Sequence, residues 1–299
     1  RETIGKALLL NEQSRMGFCD DYGLLPDVTA HEYDLKANIA VKKLPSFTML
    51  CGVLSGNTRL ESLSIKALDS DHIEPLAEAL RGNSTLQTLT LVHQHKTHAS
   101  EVALPVQQLN GRTILTRVAI SGELGRISTA VVGHLISQNT NLCELSLSGT
   151  QLGSDGGNVF EYLSAVFSNP ECSLTALDLS NILLGDRGGT KLFGALLAGA
   201  RSTITTLKLG GNGLREETGR AMIDVLRAET CLLRSLDLSA NQISGGLIAR
   251  AVKFAHSLTQ LDVRETPIDD EGFRTLGELL LADDSPCKLG YIRCDAFEL

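Results

Sequence analysis

The densest run of ligand-type side chains is VHQHKTH, which holds His93, His95 and His98. Three imidazoles this close could bind zinc, but structural zinc takes four ligands, and no fourth is evident beside them. The run also falls where a turn of variable length is expected. It is read as a solvated loop, and no metal is expected. The other histidines, His31, His72, His134 and His256, are scattered along the chain. No GxSxG, HExxH or GxxxxGK[ST] motif occurs, and no Cys–His pair stands at a recognisable catalytic spacing. The glycine-rich stretches GSDGG and GGNG read as turns, not phosphate cradles. The chain is therefore expected to be no enzyme and to hold no cofactor. Arg117 and Arg126 are the arginines of the N-terminal half that a nucleotide on a partner could meet. Such a residue works only when the partner brings nucleotide and metal.

The sixmer LxxLxL recurs about every 29 residues, within the 20–29 range of leucine-rich repeats. It appears as LESLSI from Leu60, LQTLTL from Leu86, LTRVAI from Leu115, LCELSL from Leu142 and LTALDL from Leu174. It returns as ITTLKL from Ile204, LRSLDL from Leu233, LTQLDV from Leu258 and LGYIRC from Leu289. Alternation inside each sixmer predicts a short strand with one apolar face. In LTALDL, Leu177 and Leu179 point inward, and Ala176 and Asp178 point out.

Between sixmers, apolar residues fall at helical spacing. Examples are Phe160, Leu163 and Phe167; Leu192, Leu196 and Leu197; Met222, Val225 and Leu226; and Phe273, Leu276 and Leu280. These predict helices with one buried stripe. The phrases QLGSDGG, LLGDRGG and PIDDEG join strand to helix. Their Asp and Ser residues suit a helix start, where the dipole favours negative charge. One strand–helix unit cannot bury its own leucines, whereas stacked units can.

The register defines two outward files on the strand face. One runs Ser62, Thr88, Arg117, Glu144, Ala176, Thr206, Ser235, Gln260, Tyr291. The other runs Ser64, Thr90, Ala119, Ser146, Asp178, Lys208, Asp237, Asp262, Arg293. The first half is mostly Ser, Thr and Ala, and the second half is charged. Arg264, Glu265 and Asp295 lie just past its strands. Binding energy concentrates in Tyr, Trp and Arg. The candidate partner-binding residues are therefore Asp178, Lys208, Asp237, Asp262, Arg264, Glu265, Tyr291 and Arg293. The three aspartates favour a partner carrying basic groups. The alternative is that these polar residues merely solvate an exposed sheet.

Composition narrows the partner. The net charge is −8 and no Lys/Arg-rich run is present, so nucleic acid is not the expected partner. No stretch has the roughly 18–20 apolar residues that span a bilayer, so no direct membrane insertion is expected. Apolar residues make up 42% of the 299, enough for a core, but aromatics are only 4%, so leucine layers must fill it. The cysteine count, seven, is odd, and Cys172, Cys231 and Cys287 each precede a sixmer by two residues. That recurrence predicts a shared buried slot for free thiols, not a disulfide framework. A reducing, intracellular compartment follows, cytoplasmic unless a targeting segment was removed ahead of Arg1.

The spacing, the strand–helix alternation and the phrases NPECSLTALDLS, ETCLLRSLDLSAN and SPCKLGYI resemble the ribonuclease-inhibitor-like class of leucine-rich repeats. The resemblance covers residues 60–294, with 30–59 matching loosely. It implies an α/β solenoid, a horseshoe with parallel strands on the concave face and helices on the convex face. It also implies an asparagine after each strand that bonds the turn backbone; Asn38, Asn212 and Asn241 stand in that register, and Asn181 is one place early. Residues 1–29 are read as an N-terminal cap and 30–59 as a degenerate first repeat. Residues 60–299 are the repeats, with a terminal strand at 289–294; Phe297 and Leu299 fold over that last rung, or something else covers it. The expected function is a non-enzymatic protein-interaction scaffold, of the kind that serves as a structural subunit of a larger assembly. The alternatives are a GTPase-activating protein of the Ran type and the sensor region of a larger receptor.

Overall fold

The computed structural model describes residues 25–26, 36–40, 48, 51–52, 54–55, 61–68, 73–83, 85–93, 115–122, 141–150, 163, 167, 171–199, 202–281 and 288–295. The chain forms two compact units, Arg1–Ser146 and Leu147–Leu299.

In the first unit the strands are β1 (Leu25–Pro26), β2 (Lys36–Ala40), β3 (Ser62–Leu68), β4 (Thr88–His93), β5 (Arg117–Gly122) and β6 (Glu144–Ser146). Helix α1 spans Ile73–Gly82. Strands β2 to β6 pair in parallel, each with the next in the chain. Strand β1 pairs antiparallel with β2, so the backbone of the first parallel strand is partnered rather than left as an open edge. The β2–β3 register places Lys36 beside Ser62 and Asn38 beside Ser64. Asn38 therefore lies inside a strand, in register with Ser64, and not after the strand as its spacing from Ala30 suggested. The weak pattern Ala30, Tyr33, Leu35 had too few apolar residues to define a register.

In the second unit β7 (Ala176–Asp178), β8 (Thr206–Lys208), β9 (Ser235–Asp237), β10 (Gln260–Asp262) and β11 (Tyr291–Arg293) pair in parallel in chain order. Helices α2 (Gly185–Ala198), α3 (Glu216–Arg227), α4 (Gly245–Phe254) and α5 (Asp270–Leu281) alternate with them, and each packs on the next. This is the α/β leucine-rich arrangement expected from the sequence. Leu177, Leu207, Leu236 and Leu261 are stacked, fully buried strand neighbours. Each such side chain removed from water stabilises by about 1.5–3 kcal/mol. The last rung is less covered: Leu289 and Ile292 are only half-buried. Phe297 and Leu299 lie outside the described residues.

Helical stripes follow the expected spacing with two exceptions. Met222, Val225 and Leu226 are buried, as are Leu163, Phe167, Leu192, Leu196 and Leu276. Leu197 is exposed, and its place in the core is taken by Phe193, which is fully buried. Leu280 is also exposed, and Phe273 is half-buried. Phe160 lies outside the described residues.

The asparagine positions tie the repeats together. Asn212 and Asn241 are buried. Asn241 Nδ2 donates to the carbonyls of Leu209, Leu238 and Ser239. Its Oδ1 accepts from the N–H groups of Asn212 and Leu214. Asn212 repeats the pattern one rung earlier, donating to Leu179 and Leu209 and accepting from Ile182 and Leu184. Buried backbone groups in a turn must find partners, and one amide per rung supplies several. Immediately before this position each turn passes through the left-handed region, at Gly149, Asn181, Gly211, Ala240 and Glu265. Asn181 thus stands one place ahead of the asparagine file, as its spacing indicated.

Helix starts are built differently from the local pattern. The N-cap residues of α2, α3 and α4 make no side-chain cap hydrogen bond. Instead, Asp186 in the first turn of α2 accepts from the N–H groups of Arg215, Glu217 and Thr218 at the start of α3. Glu216 of α3 likewise accepts from the Ser244 N–H at the start of α4. The acidic residue seen in the sequence at one helix start caps the next repeat's helix.

Candidate functional site

The second unit presents a strand face whose central file is Asp178, Lys208, Asp237, Asp262 and Arg293, adjacent from strand to strand. Alternation in three-residue strands puts these side chains outward while the leucine between them is buried. All eight sequence-predicted residues lie on or just past these strands.

Most of the carboxylates are already engaged. Asp178 Oδ2 lies 3.6 Å from Lys208 Nζ. Asp237 Oδ1 accepts from Ser239 N at 2.9 Å and from its hydroxyl at 2.7 Å. Asp262 accepts from Arg264 Nε at 2.9 Å and Nη2 at 2.6 Å, and its side chain is only 13% exposed. Arg293 Nη1 stands 3.9 Å from the same carboxylate. Burial alone would raise the Asp262 pKa, but hydrogen bonds from the Arg264 side chain and backbone, with the charges of Arg264 and Arg293, hold it below its ordinary value. The pairing with Asp262 correspondingly pushes Arg264 up.

Tyr291 and Arg293 form one unit. Arg293 Nε donates to the Tyr291 hydroxyl at 3.0 Å, and the guanidinium carbon lies 5.6 Å from the ring centroid. The hydrogen bond to Tyr291 also raises the Arg293 pKa. Tyr291 remains 52% exposed. Glu265 contributes its backbone: its N–H donates to Asp295 Oδ2 at 2.5 Å, and its φ of 55° is left-handed. The structure therefore gathers Asp262, Arg264, Tyr291 and Arg293 into one cluster. Asp178 with Lys208, and Asp237 with Ser239, stand as separate contacts along the same file. Ser239 was not singled out from sequence; its position two residues after Asp237 is the signal that could have found it.

In the first unit Arg117 Nη2 pairs with Glu144 Oε1 at 2.8 Å on the neighbouring strand. Arg126 lies outside the described residues, as do His95 and His98; His93 ends β4. No group of metal-ligating side chains occurs among the described residues, and none of their helices is long and apolar enough to cross a membrane. Cys172 and Cys231 are half-buried rather than enclosed. The Cys231 thiol accepts from Ser257 Oγ at 3.8 Å. Cys287 lies outside the described residues.

A family model described as Leucine Rich repeat matches residues 138–159 and 254–277. Human NACHT, LRR and PYD domains-containing protein 13 is 24% identical over 279 residues, covering 91% of this chain and 26% of that protein. Mouse ribonuclease inhibitor is 26% identical over 246 residues, covering 79% of this chain and 52% of the inhibitor. The chain thus spans a quarter to a half of these relatives. Among solved structures, the leucine-rich repeat-containing protein LegL7 from Legionella pneumophila aligns with a TM-score of 0.56 at 14% identity, covering 93% of this chain and 86% of that one. With the strand register and the asparagine file, these likenesses show a leucine-rich-repeat fold similar to that of the ribonuclease-inhibitor-like class.

Proposed function

We propose that the chain is a non-enzymatic scaffold that binds another protein on the strand face of repeats 174–294. The observation that carries this reading is the Asp262–Arg264–Tyr291–Arg293 cluster. Its arginines are held in place by Asp262 and the Tyr291 hydroxyl, yet Tyr291 and both guanidiniums stay about half exposed. Side chains fixed before binding lose little conformational entropy on docking, and Tyr and Arg are the residues that contribute most at interfaces. Asp178, Lys208, Asp237 and Glu265 extend the face, and its four carboxylates against three cations favour basic groups on the partner. Crosslinking mass spectrometry on native extract tests this. Amine crosslinks from Lys208 to one partner, lost in Tyr291→Ala with Arg293→Ala, are expected. Recovery of the chain only as a free monomer, or crosslinks confined to the helices, would overturn it.

A second reading is that the chain is the leucine-rich part of a larger receptor. It is supported by the match of 91% of this chain to 26% of a NACHT, LRR and PYD domains-containing protein. Sequencing the full-length gene product is the test: a nucleotide-binding domain ahead of Arg1 is expected, and a different neighbouring domain counts against it. We also place the protein in a reducing, cytoplasmic compartment. Cys51, Cys143, Cys172, Cys231 and Cys294 are all free thiols in the structure. Fractionation that recovered the protein from an oxidising compartment would reverse this.

A further inference from the structure

The last strand of the second unit has one partnered edge. Strand β11 pairs with β10, and among the described residues no strand lies on its far side. In the first unit, by contrast, β1 lies antiparallel on β2. The last rung is also incompletely covered. Leu289 and Ile292 are half-buried, whereas Leu258 and Leu261, at the same positions of the preceding repeat, are fully buried. Leu280 and Leu281, at the end of the last helix α5, are both exposed. Edge strands are commonly blunted by proline, a bulge or a lysine. Strand β11 has none of these: it reads Tyr-Ile-Arg, and its register with β10 runs without a shift.

The backbone of β11 decides how a further strand would add. Tyr291 N–H donates to the Thr259 carbonyl at 3.1 Å, and the Arg293 carbonyl accepts from Val263 N–H at 2.8 Å. Residues 291 and 293 thus turn their backbone toward β10. Backbone groups alternate sides along a strand, so the N–H and C=O of Ile292 turn to the open edge. In an antiparallel pair, two residues directly opposite exchange both of their hydrogen bonds. Ile292 facing its own counterpart in a second copy is such a pair, and it lies on a two-fold axis. That register sets Tyr291 opposite Arg293 of the second copy, and Arg293 opposite its Tyr291. The two residue types are complementary. Within one chain Arg293 Nε donates to the Tyr291 hydroxyl at 3.0 Å, and its guanidinium carbon lies 5.6 Å from the ring centroid. Both side chains stay about half exposed. Residues facing each other in a non-hydrogen-bonded pair approach to about 4.5 Å between Cα atoms, within reach of a cation–π contact. Each arginine then stands against a ring, diagonal to the other arginine.

We propose that the chain self-associates through β11: two copies join edge to edge, antiparallel, about a two-fold axis at Ile292. A two-fold contact requires that residue i meet j and that j meet i, and Tyr291 with Arg293 satisfies this. The sheet continues from one copy into the other, and the half-covered Ile292 side chains of the two copies meet beneath it. Association closes at two copies, because the open edge of β11 is consumed on both sides. The inference goes beyond the strand-face reading: it depends on the backbone edge at Ile292 and not on the carboxylates of that face.

Sedimentation velocity on the intact 299-residue chain tests this. A concentration-dependent step from 32.0 kDa to twice that mass is expected, with no larger species. Amide hydrogen exchange at Ile292 should slow as the dimer fills. Ile292→Pro removes the outward donor and leaves the bonds to β10, a place where an edge strand tolerates proline. It should weaken the dimer about tenfold or more. Tyr291→Arg sets arginine opposite arginine across the axis and should weaken it as well, which keeps the test open should the proline variant unfold. Lys208→Glu, on β8, should leave the dimer unchanged. A monomer at every concentration, a dimer kept in both edge variants, or a dimer lost in Lys208→Glu overturns the proposal. A monomer whose Lys208 still crosslinks to another protein overturns it and leaves the strand-face scaffold standing. A dimer without such crosslinks does the reverse.

Discussion

Asp186 and Thr218 join two successive repeats: the Thr218 hydroxyl donates to Asp186 Oδ1 at 2.6 Å, and the Thr218 N–H donates to the same oxygen at 2.9 Å. One carboxylate thereby closes the start of a helix belonging to the next repeat. The arrangement places the helix–helix contact under control of a polar group as well as of the leucine layers.

Asp186→Ala should therefore destabilise by about 1–2 kcal/mol, the range of a lost N-cap, although Asp186 caps no helix of its own. The loss should also depend on pH. Burial raises the Asp186 pKa, but hydrogen bonds from Thr218, Arg215 and Glu217 outweigh it and set the folded value below the ordinary one. A carboxylate depressed on folding contributes stability above its unfolded pKa, and the contribution disappears as pH falls through the folded value. Denaturant melts of wild type and variant should converge in acid and separate near neutrality. A constant gap down to strongly acidic pH would contradict the cap.

Asn241→Ala should cost at least about 2 kcal/mol, since each buried backbone group left without a partner costs about 1–3 kcal/mol. Asn241→Asp should not restore the loss. The carboxylate keeps the acceptor for Asn212 and Leu214 but cannot donate to Leu209, Leu238 and Ser239. Chemical denaturation of the two variants measures both effects.

Leu177→Ala or Leu236→Ala should each cost about 2–5 kcal/mol, as buried large-to-small changes. Leu197→Ala, at a residue 47% exposed, should change stability by no more than about 0.5 kcal/mol. Thermal unfolding that ranked Leu197 with the other two would contradict the assigned helix face.

Two glycines of α2 should respond oppositely to alanine. At Gly189 the added carbon would stand 2.4 Å from Thr218 Oγ1, a hydroxyl already engaged by Asp186, so Gly189→Ala should destabilise. At Gly194 it would meet nothing within 4 Å, so Gly194→Ala should gain about 0.5–1 kcal/mol from helix propensity. Melting temperatures moving in the same direction would refute the packing described for α2 and α3.

Leu183 is exposed at φ 61°, and Leu183→Gly should be neutral or stabilising by up to about 1 kcal/mol. Relief of the left-handed strain, about 1–2 kcal/mol, is partly offset by the greater freedom of glycine in the unfolded chain. A clear loss on thermal unfolding would give Leu183 a structural role instead of an exposed one.

The fold was legible because periodicity is a local property. A leucine pair two residues apart within each sixmer selects strand, face and rung together, and within each unit the strand residues read from that register, from Ser62 onward, pair with the neighbours expected. Where the pattern thinned, at Ala30, Tyr33 and Leu35, the register slipped, because too few apolar residues remained to choose one alignment over its neighbours. Tyr291, Arg293 and Arg264 were visible as residue types suited to binding. That Asp262 would be enclosed between two arginines was not, since pairing depends on side-chain reach across strands.

Sequence alone determined the repeat, the alternation of strand and helix, and the leucines that fill the interior, all consequences of spacing along one chain. Tertiary structure decided which carboxylates stay available. Asp186, Glu216 and Asp262 look alike in sequence as exposed acids, but stacking brings two of them onto helix starts in the next repeat and the third between guanidiniums. It also decided that Leu183 faces water in a left-handed turn, because the clamp comes from Asn212 one repeat away. Contacts between repeats depend on how the units stack, and local sequence does not encode that distance.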